Sequence, residues 1–241
     1  MTSETQQRAL VTGASSGIGR ATAIAFAQAG IDLALVARSQ NKLDALAQDL
    51  AQYGVEVKTY SIDLSQVDAL QASLQALLND FGPINILVNN AGMGYTGALA
   101  DMPLADWQGL MDLNLTSIFL VIQAVIPGMR SQGQGTIVNV ASIAAHNAFP
   151  AWGAYSVSKA GLIILGRIFG VEESEHGIRV MTVSPGAVNT PLWDTETVHM
   201  DFERSQMLTP AIVAQSILNA VQLPKSAVID EIQLMPSGGA L

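Results

Sequence analysis

The chain contains no cysteine, few histidines and little charge. Without cysteine there is no disulfide bond, no zinc site built on thiolates and no cysteine nucleophile. The three histidines, His146, His176 and His199, are not spaced like metal ligands, so we predict no metal site. Charged residues make up 13% of the chain, against a typical share of about 25%. This shortage indicates that contacts between subunits bury part of the surface.

Positive charge is especially scarce, because 11 lysines and arginines face 20 aspartates and glutamates and leave a net charge of −9. Such a chain is not expected to bind the nucleic-acid backbone, which requires clustered cations. The longest apolar runs, such as residues 117–129, are shorter than the ~20 residues of a membrane span. The N-terminal sequence M-T-S-E-T-Q-Q-R has no apolar signal core. We therefore expect a cytoplasmic protein that binds neither nucleic acid nor a membrane.

Short apolar runs alternate with helical patterns along the sequence. The runs predict seven strands, at residues 9–12, 33–37, 55–61, 84–88, 136–140, 178–183 and 228–234. The patterns between them predict helices, at residues 18–29, 41–53, 66–81, 106–130 and 155–172. This alternation is typical of a parallel sheet covered by helices on both faces. We predict one doubly wound α/β domain over residues 1–241.

Two predicted helices, 106–130 and 155–172, are apolar on nearly all sides. A surface helix normally has one apolar stripe, so the outer faces of these helices need a further partner. One explanation is a thick core within a monomer. The other, which the low charge content favours, is a homo-oligomer, either a dimer or a tetramer, with both helices in its interface.

The first predicted strand leads into T-G-A-S-S-G-I-G, residues 12–19, which opens the first helix. Its glycines, Gly13, Gly17 and Gly19, permit a tight turn and let backbone N–H groups approach a pyrophosphate at the positive end of the helix dipole. The same glycines would also serve a purely structural turn. Their position between the first strand and the first helix of a parallel α/β sheet favours a dinucleotide site.

The end of the second strand indicates which dinucleotide is bound. Asp32 lies about 20 residues after the glycine turn, where an NAD-binding carboxylate is sought. However, Asp32 begins that strand, whereas the ribose is reached from its end, which reads V-A-R-S with Ala37 in the place of a carboxylate. The Arg38 guanidinium suits a 2′-phosphate, so we predict NADP(H), with Ser15 and Ser39 as further donors. The alternative is that Arg38 is an ordinary solvated charge.

The sequence Y-S-V-S-K places Tyr155 and Lys159 one helical turn apart, so that the phenol and the ammonium can meet. A nearby ammonium and the charge of an oxidised nicotinamide favour the phenolate and would lower the pKa of the tyrosine. A lower pKa suits proton transfer near neutral pH. Taken alone, Tyr155 is as easily explained as a buried tyrosine of the core, so its role depends on the motifs around it.

These motifs occur in the order typical of the short-chain dehydrogenase/reductase family, which the chain resembles over nearly its whole length. They are T-G-A-S-S-G-I-G at Thr12, N-N-A-G at Asn89, Asn114 in D-L-N-L, Ser142 after V-N-V-A, Y-S-V-S-K at Tyr155 and P-G-A-V-N-T at Pro185. The resemblance, which is to the NADP(H)-dependent ketone and 3-oxoacyl reductases within that family, implies nicotinamide-dependent carbonyl or alcohol chemistry. It also implies a single-domain Rossmann-type three-layer sandwich with a seven-stranded parallel sheet.

The resemblance further implies a catalytic tetrad of Asn114, Ser142, Tyr155 and Lys159. Ser142 is expected to hold the carbonyl oxygen, where negative charge develops, and Tyr155 to act as the general acid or base. Lys159 is expected to bond the nicotinamide ribose, and Asn114 to anchor a water that connects Lys159 to solvent. Asn89 is expected to have a structural role.

The resemblance assigns cofactor contacts as well. Asp63 and Leu64 match the pair that receives the adenine, and Val188 and Thr190 match the positions that hold the nicotinamide carboxamide. The expected cofactor-binding residues are Gly13, Ser15, Ser16, Gly17, Ile18, Gly19, Arg38, Asp63, Leu64, Asn90, Ala91, Gly92, Tyr155, Lys159, Pro185, Gly186, Val188 and Thr190.

Three segments, 93–96, 143–152 and 192–209, are expected to surround the substrate, with the last acting as a lid. Their candidate pocket residues are Met93, Tyr95, His146, Phe149, Trp152, Trp193, Met200 and Phe202. This lining favours a small apolar or aromatic ketone or aldehyde, although each residue could equally pack in the core. His146 is the most interesting polar member, and a structural histidine is its simpler explanation.

Two alternative functions stay open. A 3-oxoacyl-[acyl-carrier-protein] reductase would share all these motifs, and it should present basic residues that dock an acidic carrier. The candidates are Arg130, Arg167 and Arg204, but cations are sparse in this acidic chain. A non-catalytic NADP(H)-sensing protein could use the same glycine turn, but it would have no need of Tyr155 and Lys159.

Overall fold

The structure of the protein is a computed structural model, which describes residues 6–199 and 203–239. The described strands are β1 (Arg8–Thr12), β2 (Asp32–Ala37), β3 (Val57–Ser61), β4 (Ile86–Asn89), β5 (Gly135–Val140), β6 (Ile178–Pro185) and β7 (Glu231–Leu234). They form one sheet in the order β3-β2-β1-β4-β5-β6-β7, and every neighbouring pair is parallel. The predicted seven-stranded parallel sheet is confirmed.

Helices connect the strands and form two further layers. They are α1 (Gly17–Gln28), α2 (Gln40–Leu50), α3 (Val67–Phe81), α4 (Leu104–Met111), α5 (Ser117–Gln132), α6 (Gly153–Glu172) and α7 (Pro210–Val221). The pattern of the sequence did not predict α7. Its start has a clear chemical reason, because the Thr209 hydroxyl accepts a hydrogen bond from the Ile212 N–H and Pro210 occupies the first turn.

The sheet is covered on both faces. Helices α1, α2 and α7 pack on one face through residues such as Phe26, Leu46 and Ile217, whereas α3, α5 and α6 pack on the other through residues such as Leu74 and Ile122. Every residue of β2 and β5 is buried. This burial on two sides explains why their sequences are continuous apolar runs rather than alternating ones.

The helix predicted over residues 106–130 is present within one helical segment, Leu104–Gln132, which a π-helical turn divides into α4 and α5. Helix α4 ends at Met111, a π-helical turn follows at Asp112–Thr116, and α5 begins at Ser117. A π-turn inserts one extra residue into an α-helix and is frequently found at functional sites. Here it contains Asn114, whose side chain is fully buried.

By length and composition, the segments Leu104–Gln132 and Gly153–Glu172 are apolar enough to cross a membrane. The uninterrupted apolar runs of the sequence are shorter than these segments, so they did not predict segments of this length and apolarity. Both segments lie against the sheet, where Ile122 and Leu162 are fully buried, and core helices of globular proteins have the same composition. The outer face of α6 carries exposed apolar side chains, namely Val157, Ile164, Ile168 and Val171.

Candidate active site

A cleft of about 810 Å³ opens along the edge of the sheet where the strands end. Parallel strands place their carboxyl ends at one edge, so loops that are distant in sequence meet there. The predicted site residues that line this cleft are Gly13, Ser15, Ser16, Gly17, Ile18, Arg38, Ser39, Asp63, Leu64, Asn90, Ala91, Gly92, Ser142, Tyr155, Lys159, Pro185, Gly186, Val188 and Thr190. Gly19 and Asn114 do not line the cleft, but Gly19 packs against Gly13 and Asn90, and Asn114 packs against Gly92, which do.

The glycine turn between β1 and α1 has no room for a side chain at Gly13 or Gly19. A Cβ atom on Gly19 would lie 2.5 Å from Asn90 Nδ2, and Gly13 has a φ of +65°, which favours glycine. The Asn90 amide donates hydrogen bonds to the carbonyls of Thr12 and Gly13, at 3.0 and 3.3 Å. The turn is therefore held against β4, and its open side, at the N-terminus of α1, fits a pyrophosphate.

The end of β2 supplies cations to one end of the cleft. Arg38 and Lys42 both line it, as does Asp63, two residues after the neighbouring strand β3. Lys42, which the sequence analysis missed, lies in the first turn of α2, four residues after Arg38. Asp32 is not part of this group, because its carboxylate accepts a hydrogen bond from the Glu56 N–H at 2.9 Å at the opposite end of β2. This placement agrees with the reasoning that excluded Asp32.

Asn114 is held by the backbone of the segment after β4. Its Oδ1 accepts from the Met93 N–H and its Nδ2 donates to the Met93 carbonyl, both at 2.9 Å, and Nδ2 also lies 3.1 Å from the Ser158 hydroxyl. A Cβ atom on Gly92 would lie 3.1 Å from Asn114 Oδ1 and 3.4 Å from Lys159 Nζ. The glycine thus lets the amide and the ammonium approach each other behind the cleft.

Lys159 and Tyr155 project from α6 into the cleft, and both are buried. The Lys159 ammonium donates to the Val140 carbonyl at 3.0 Å, and burial lowers its pKa to about 8. Burial raises the pKa of Tyr155, while a hydrogen bond with Ser142 opposes that rise. Within the protein alone, Lys159 does not produce the lower tyrosine pKa that the sequence analysis expected. The phenol form of Tyr155 is favoured instead.

Aromatic rings surround the end of the cleft beside Tyr155. Trp152 packs edge-on against Tyr155 and against Trp193, with ring centroids 5.2 and 5.7 Å apart. Phe149 and Leu192 complete an apolar lining. This half of the cleft fits apolar or aromatic groups.

Two loops meet over these rings. The Thr96 N–H donates to the Thr197 carbonyl at 2.8 Å, and the Thr197 hydroxyl donates to the Gly94 carbonyl at 2.7 Å. Val198, which follows, is buried against the cluster that contains Tyr155. The segment before residue 200 is therefore fixed across the site in this structure.

Other candidates for the substrate pocket lie elsewhere. The Tyr95 hydroxyl donates to Asp106 at 2.9 Å, and His146 Nε2 lies 2.5 Å from a Glu231 carboxylate oxygen. Neither residue lines the cleft, and nor does Met93. Met200 and Phe202 fall outside the described residues. Asn89, expected to be structural, donates to the Asn139 amide oxygen at 2.9 Å inside the sheet.

Comparison with known proteins agrees with this geometry. The family description "short chain dehydrogenase" matches residues 7–201. The chain is 37% identical over 193 residues to a 3-oxoacyl-[acyl-carrier-protein] reductase from Synechocystis, covering 80% of this chain and 78% of that enzyme. It is 35% identical over 234 residues to a glycine betaine reductase from Emericella nidulans, covering 95% of this chain but only 18% of that longer protein.

Among solved structures, an alcohol dehydrogenase from the archaeon Thermococcus sibiricus, complexed with 5-hydroxy-NADP, superposes with a TM-score of 0.88. That match has 29% sequence identity and covers 97% of each chain. The fold, the glycine turn, the Tyr155–Lys159 pair and these relatives lead to one conclusion. The chain belongs to the short-chain dehydrogenase family and is an oxidoreductase that acts on CH–OH groups.

Proposed function

We propose that the protein reduces a small apolar or aromatic ketone or aldehyde with NADPH, with Tyr155 as the general acid. The observation that carries this proposal is the division of one cleft into two ends. Cations and the glycine turn line one end, and aromatic rings beside Tyr155 and Ser142 line the other. A bound nicotinamide cofactor supplies the hydride.

Each polar group of the tetrad has a defined task in this proposal. The Ser142 hydroxyl donates a hydrogen bond to the substrate oxygen, where negative charge develops. Tyr155 then gives that oxygen a proton; with its pKa raised by burial, the phenol is protonated at neutral pH, as a general acid must be. Lys159 holds the cofactor ribose beside Tyr155, while Asn114 holds the loop at Met93 against Lys159.

The choice of NADPH over NADH rests on Arg38 and Lys42. Both side chains are exposed at the cleft, and no hydrogen bond or ion pair within the described part of the chain involves either side chain. Two cations at the end of β2 complement the two negative charges of a 2′-phosphate. We expect Arg38→Ala and Lys42→Ala each to raise the Kd for NADPH about tenfold and to leave the Kd for NADH unchanged.

A 3-oxoacyl-carrier reductase is the second candidate, favoured by the Synechocystis relative. Against it, the three arginines considered as docking residues are already paired. Arg130 binds Glu173 at 2.5 and 2.7 Å, Arg204 binds Asp194 at 2.7 Å, and Arg167 lies 3.4 Å from Glu231. An acidic carrier would have to compete with these carboxylates, so we place a free carbonyl compound first.

The test is oxidation of NADPH and NADH by the purified protein in the presence of ketones, aldehydes and 3-oxoacyl thioesters, beside Tyr155→Phe. We expect turnover with NADPH, lost in the variant although the variant still binds NADPH. The best substrate decides between a free carbonyl compound and an acyl thioester. Tight cofactor binding without turnover, and without any effect of Tyr155→Phe, would contradict the proposal and favour a sensor.

The proposal includes a homo-oligomer and a cytoplasmic location. The exposed apolar side chains of α6, together with Phe119 on α5, form a surface that a second copy of the chain would bury. Replacement of Ile164 and Ile168 by glutamate should therefore lower the molar mass found by light scattering. An unchanged mass would contradict the assignment of this face.

A further inference from the structure

A partly buried carboxylate, Glu231, lies at the start of β7, outside the cleft. It accepts hydrogen bonds from the Ser184 hydroxyl at 2.7 Å and from His146 Nε2 at 2.5 Å, both on the same oxygen, Oε1. Arg167 approaches the other oxygen at 3.4 Å from the exposed side of α6. Three donors from three different elements therefore meet on a single carboxylate.

His146 connects this carboxylate to the turn that carries Ser142. One 3₁₀ turn, Ile143–Ala145, separates the two residues. The turn is closed by the Ala145 N–H to the Ser142 carbonyl at 2.9 Å and by the His146 N–H to the Ile143 carbonyl at 3.0 Å. Because the turn is short and internally bonded, anchoring His146 also limits movement of Ser142.

Ser184 connects the same carboxylate to the opposite wall of the cleft. It is fully buried in β6 and directly precedes Pro185 and Gly186, which line the cleft. The Gly186 N–H donates to the Leu234 carbonyl of β7 at 2.7 Å. The start and the end of β7 thus hold the segment that leaves β6.

We propose that Glu231 and His146 are positioning residues, which join the Ser142 turn to β6 and so fix the Ser142 hydroxyl relative to Tyr155. The sequence offered His146 as a candidate pocket residue, with a structural histidine as the simpler explanation. Its side chain is turned away from the cleft and towards β7, which agrees with the simpler explanation. Its role is to hold the serine rather than to contact the substrate. This inference rests on the proposed reduction by Ser142 and Tyr155.

If His146 and Glu231 hold the Ser142 turn in place, their loss should change the pKa of Tyr155. A contact that only stabilises the fold would leave that pKa unchanged. The hydrogen bond with Ser142 holds the pKa of Tyr155 below the value that burial alone would give. If the serine turn shifts, that bond weakens and the pKa rises further. Lys159, whose pKa is about 8, loses its proton at lower pH than Tyr155. Reduction requires protonated Tyr155, so the Tyr155 limb of the kcat/KM profile, which lies above the Lys159 limb, should move to higher pH.

Four variants test the proposal. His146→Leu removes the contact, and His146→Gln keeps an N–H donor of similar reach. Glu231→Gln keeps the shape of the acceptor and removes its charge. Arg167→Met, which removes the longest and most exposed contact, is the matched control. The measurements are kcat, KM and the pH profile with the carbonyl compound that the native protein reduces fastest, the Kd for NADPH, and hydrogen exchange of residues 142–146.

For His146→Leu we expect kcat to fall about tenfold, because small displacements of catalytic groups have effects of this size. The Kd for NADPH should change less than about twofold, since no cofactor contact is removed. The Tyr155 limb of the pH profile should move to higher pH, and the amides of Ala144 to His146 should exchange faster. His146→Gln should restore most of the activity, Glu231→Gln should resemble His146→Leu, and Arg167→Met should leave all of these quantities unchanged.

The proposal is overturned if His146→Leu keeps its kcat and its pH profile, or if His146→Gln and Arg167→Met are as impaired as His146→Leu. If no carbonyl compound is reduced by the native protein, the proposed function fails, and hydrogen exchange still decides on the contact. In that case, unchanged hydrogen exchange of residues 144–146 in His146→Leu would overturn the positioning role. Faster exchange confined to residues 144–146 would support it.

Discussion

Burial of Lys159 lowers the stability of the protein by an amount that depends on pH. Burial lowers its pKa from 10.5 to about 8. Between these two values the unfolded chain binds more protons than the folded protein, so the free energy of unfolding rises with pH over that interval. One pKa unit corresponds to about 1.4 kcal/mol. Below pH 8, the buried ammonium therefore lowers stability by about 3 kcal/mol.

Lys159→Met keeps the length of the side chain and removes the charge. The variant also loses the hydrogen bond to the Val140 carbonyl, which costs about 1 kcal/mol. We expect the variant to be more stable than the native protein at pH 7, by about 2 kcal/mol. At pH 9.5 the buried lysine still costs about 1.4 kcal/mol, because its unfolded-state pKa of 10.5 lies one unit higher. The hydrogen bond lost in the variant offsets most of this, so the two proteins should be equally stable to within about 1 kcal/mol. Activity should be lost at both pH values.

The assay is urea unfolding at pH 7 and pH 9.5, followed by tryptophan fluorescence at one fixed protein concentration, because subunit association would also change apparent stability. Lys225→Met, at an exposed lysine outside the cleft, is the control and should keep the pH dependence of the native protein. A Lys159→Met variant that is less stable than the native protein at pH 7 would refute the reasoning. So would a stability difference that is the same at both pH values.

Three further predictions concern cofactor binding and stability. Gly19→Ala should weaken NADPH binding measured by fluorescence titration, because the new Cβ would lie 2.5 Å from Asn90 Nδ2; unchanged affinity would contradict the packing of the turn. Arg38→Asp should reverse the proposed preference for NADPH over NADH in steady-state kinetics by charge repulsion, and a retained preference would leave Arg38 without a role. Arg130→Met should lower the Tm at pH 7, since hydrogen bonds from Arg130 hold the pKa of the Glu173 carboxyl below its usual range. The stability that these hydrogen bonds add is fully present above the pKa of Glu173 in the unfolded chain. It is lost as the pH falls through the lower pKa of Glu173 in the folded protein, so the difference in Tm between the native protein and the variant should shrink in acid.

Most of the fold could be predicted from the sequence because the strands of a parallel sheet are short, apolar and separated by helices. Strand ends were less certain: β3 begins at Val57 and β7 at Glu231, each later than predicted. The residues before them, including Val55 and Val228, are apolar but lie outside the pairing. An apolar residue in the sequence indicates that a position is buried. The limits of a strand are set by its hydrogen bonds to the neighbouring strand, and the sequence does not show where that pairing begins.

The site was predictable where chemistry and chain position coincide, as in the glycine turn and the Tyr155–Lys159 pair. It was not predictable where a contact joins distant residues. His146 and Glu231 are 85 positions apart, and nothing local marks them as partners. Lys42 could have been found, because it follows Arg38 by four residues at the start of a helix. The π-turn at Asn114 could not, since one inserted residue leaves the apolar pattern on both sides intact.

The order of the strands has a consequence for synthesis of the chain. Strands β2 and β3 add successively to one side of β1, and β4 to β7 add successively to the other. Each new strand therefore joins an existing edge, and none has to insert between two strands already paired. The sheet can grow outward as the chain leaves the ribosome, but the free edge of β1 stays open until β4, more than 70 residues later, has emerged. Because unpaired apolar edges promote aggregation, the nascent chain should need protection most during that interval.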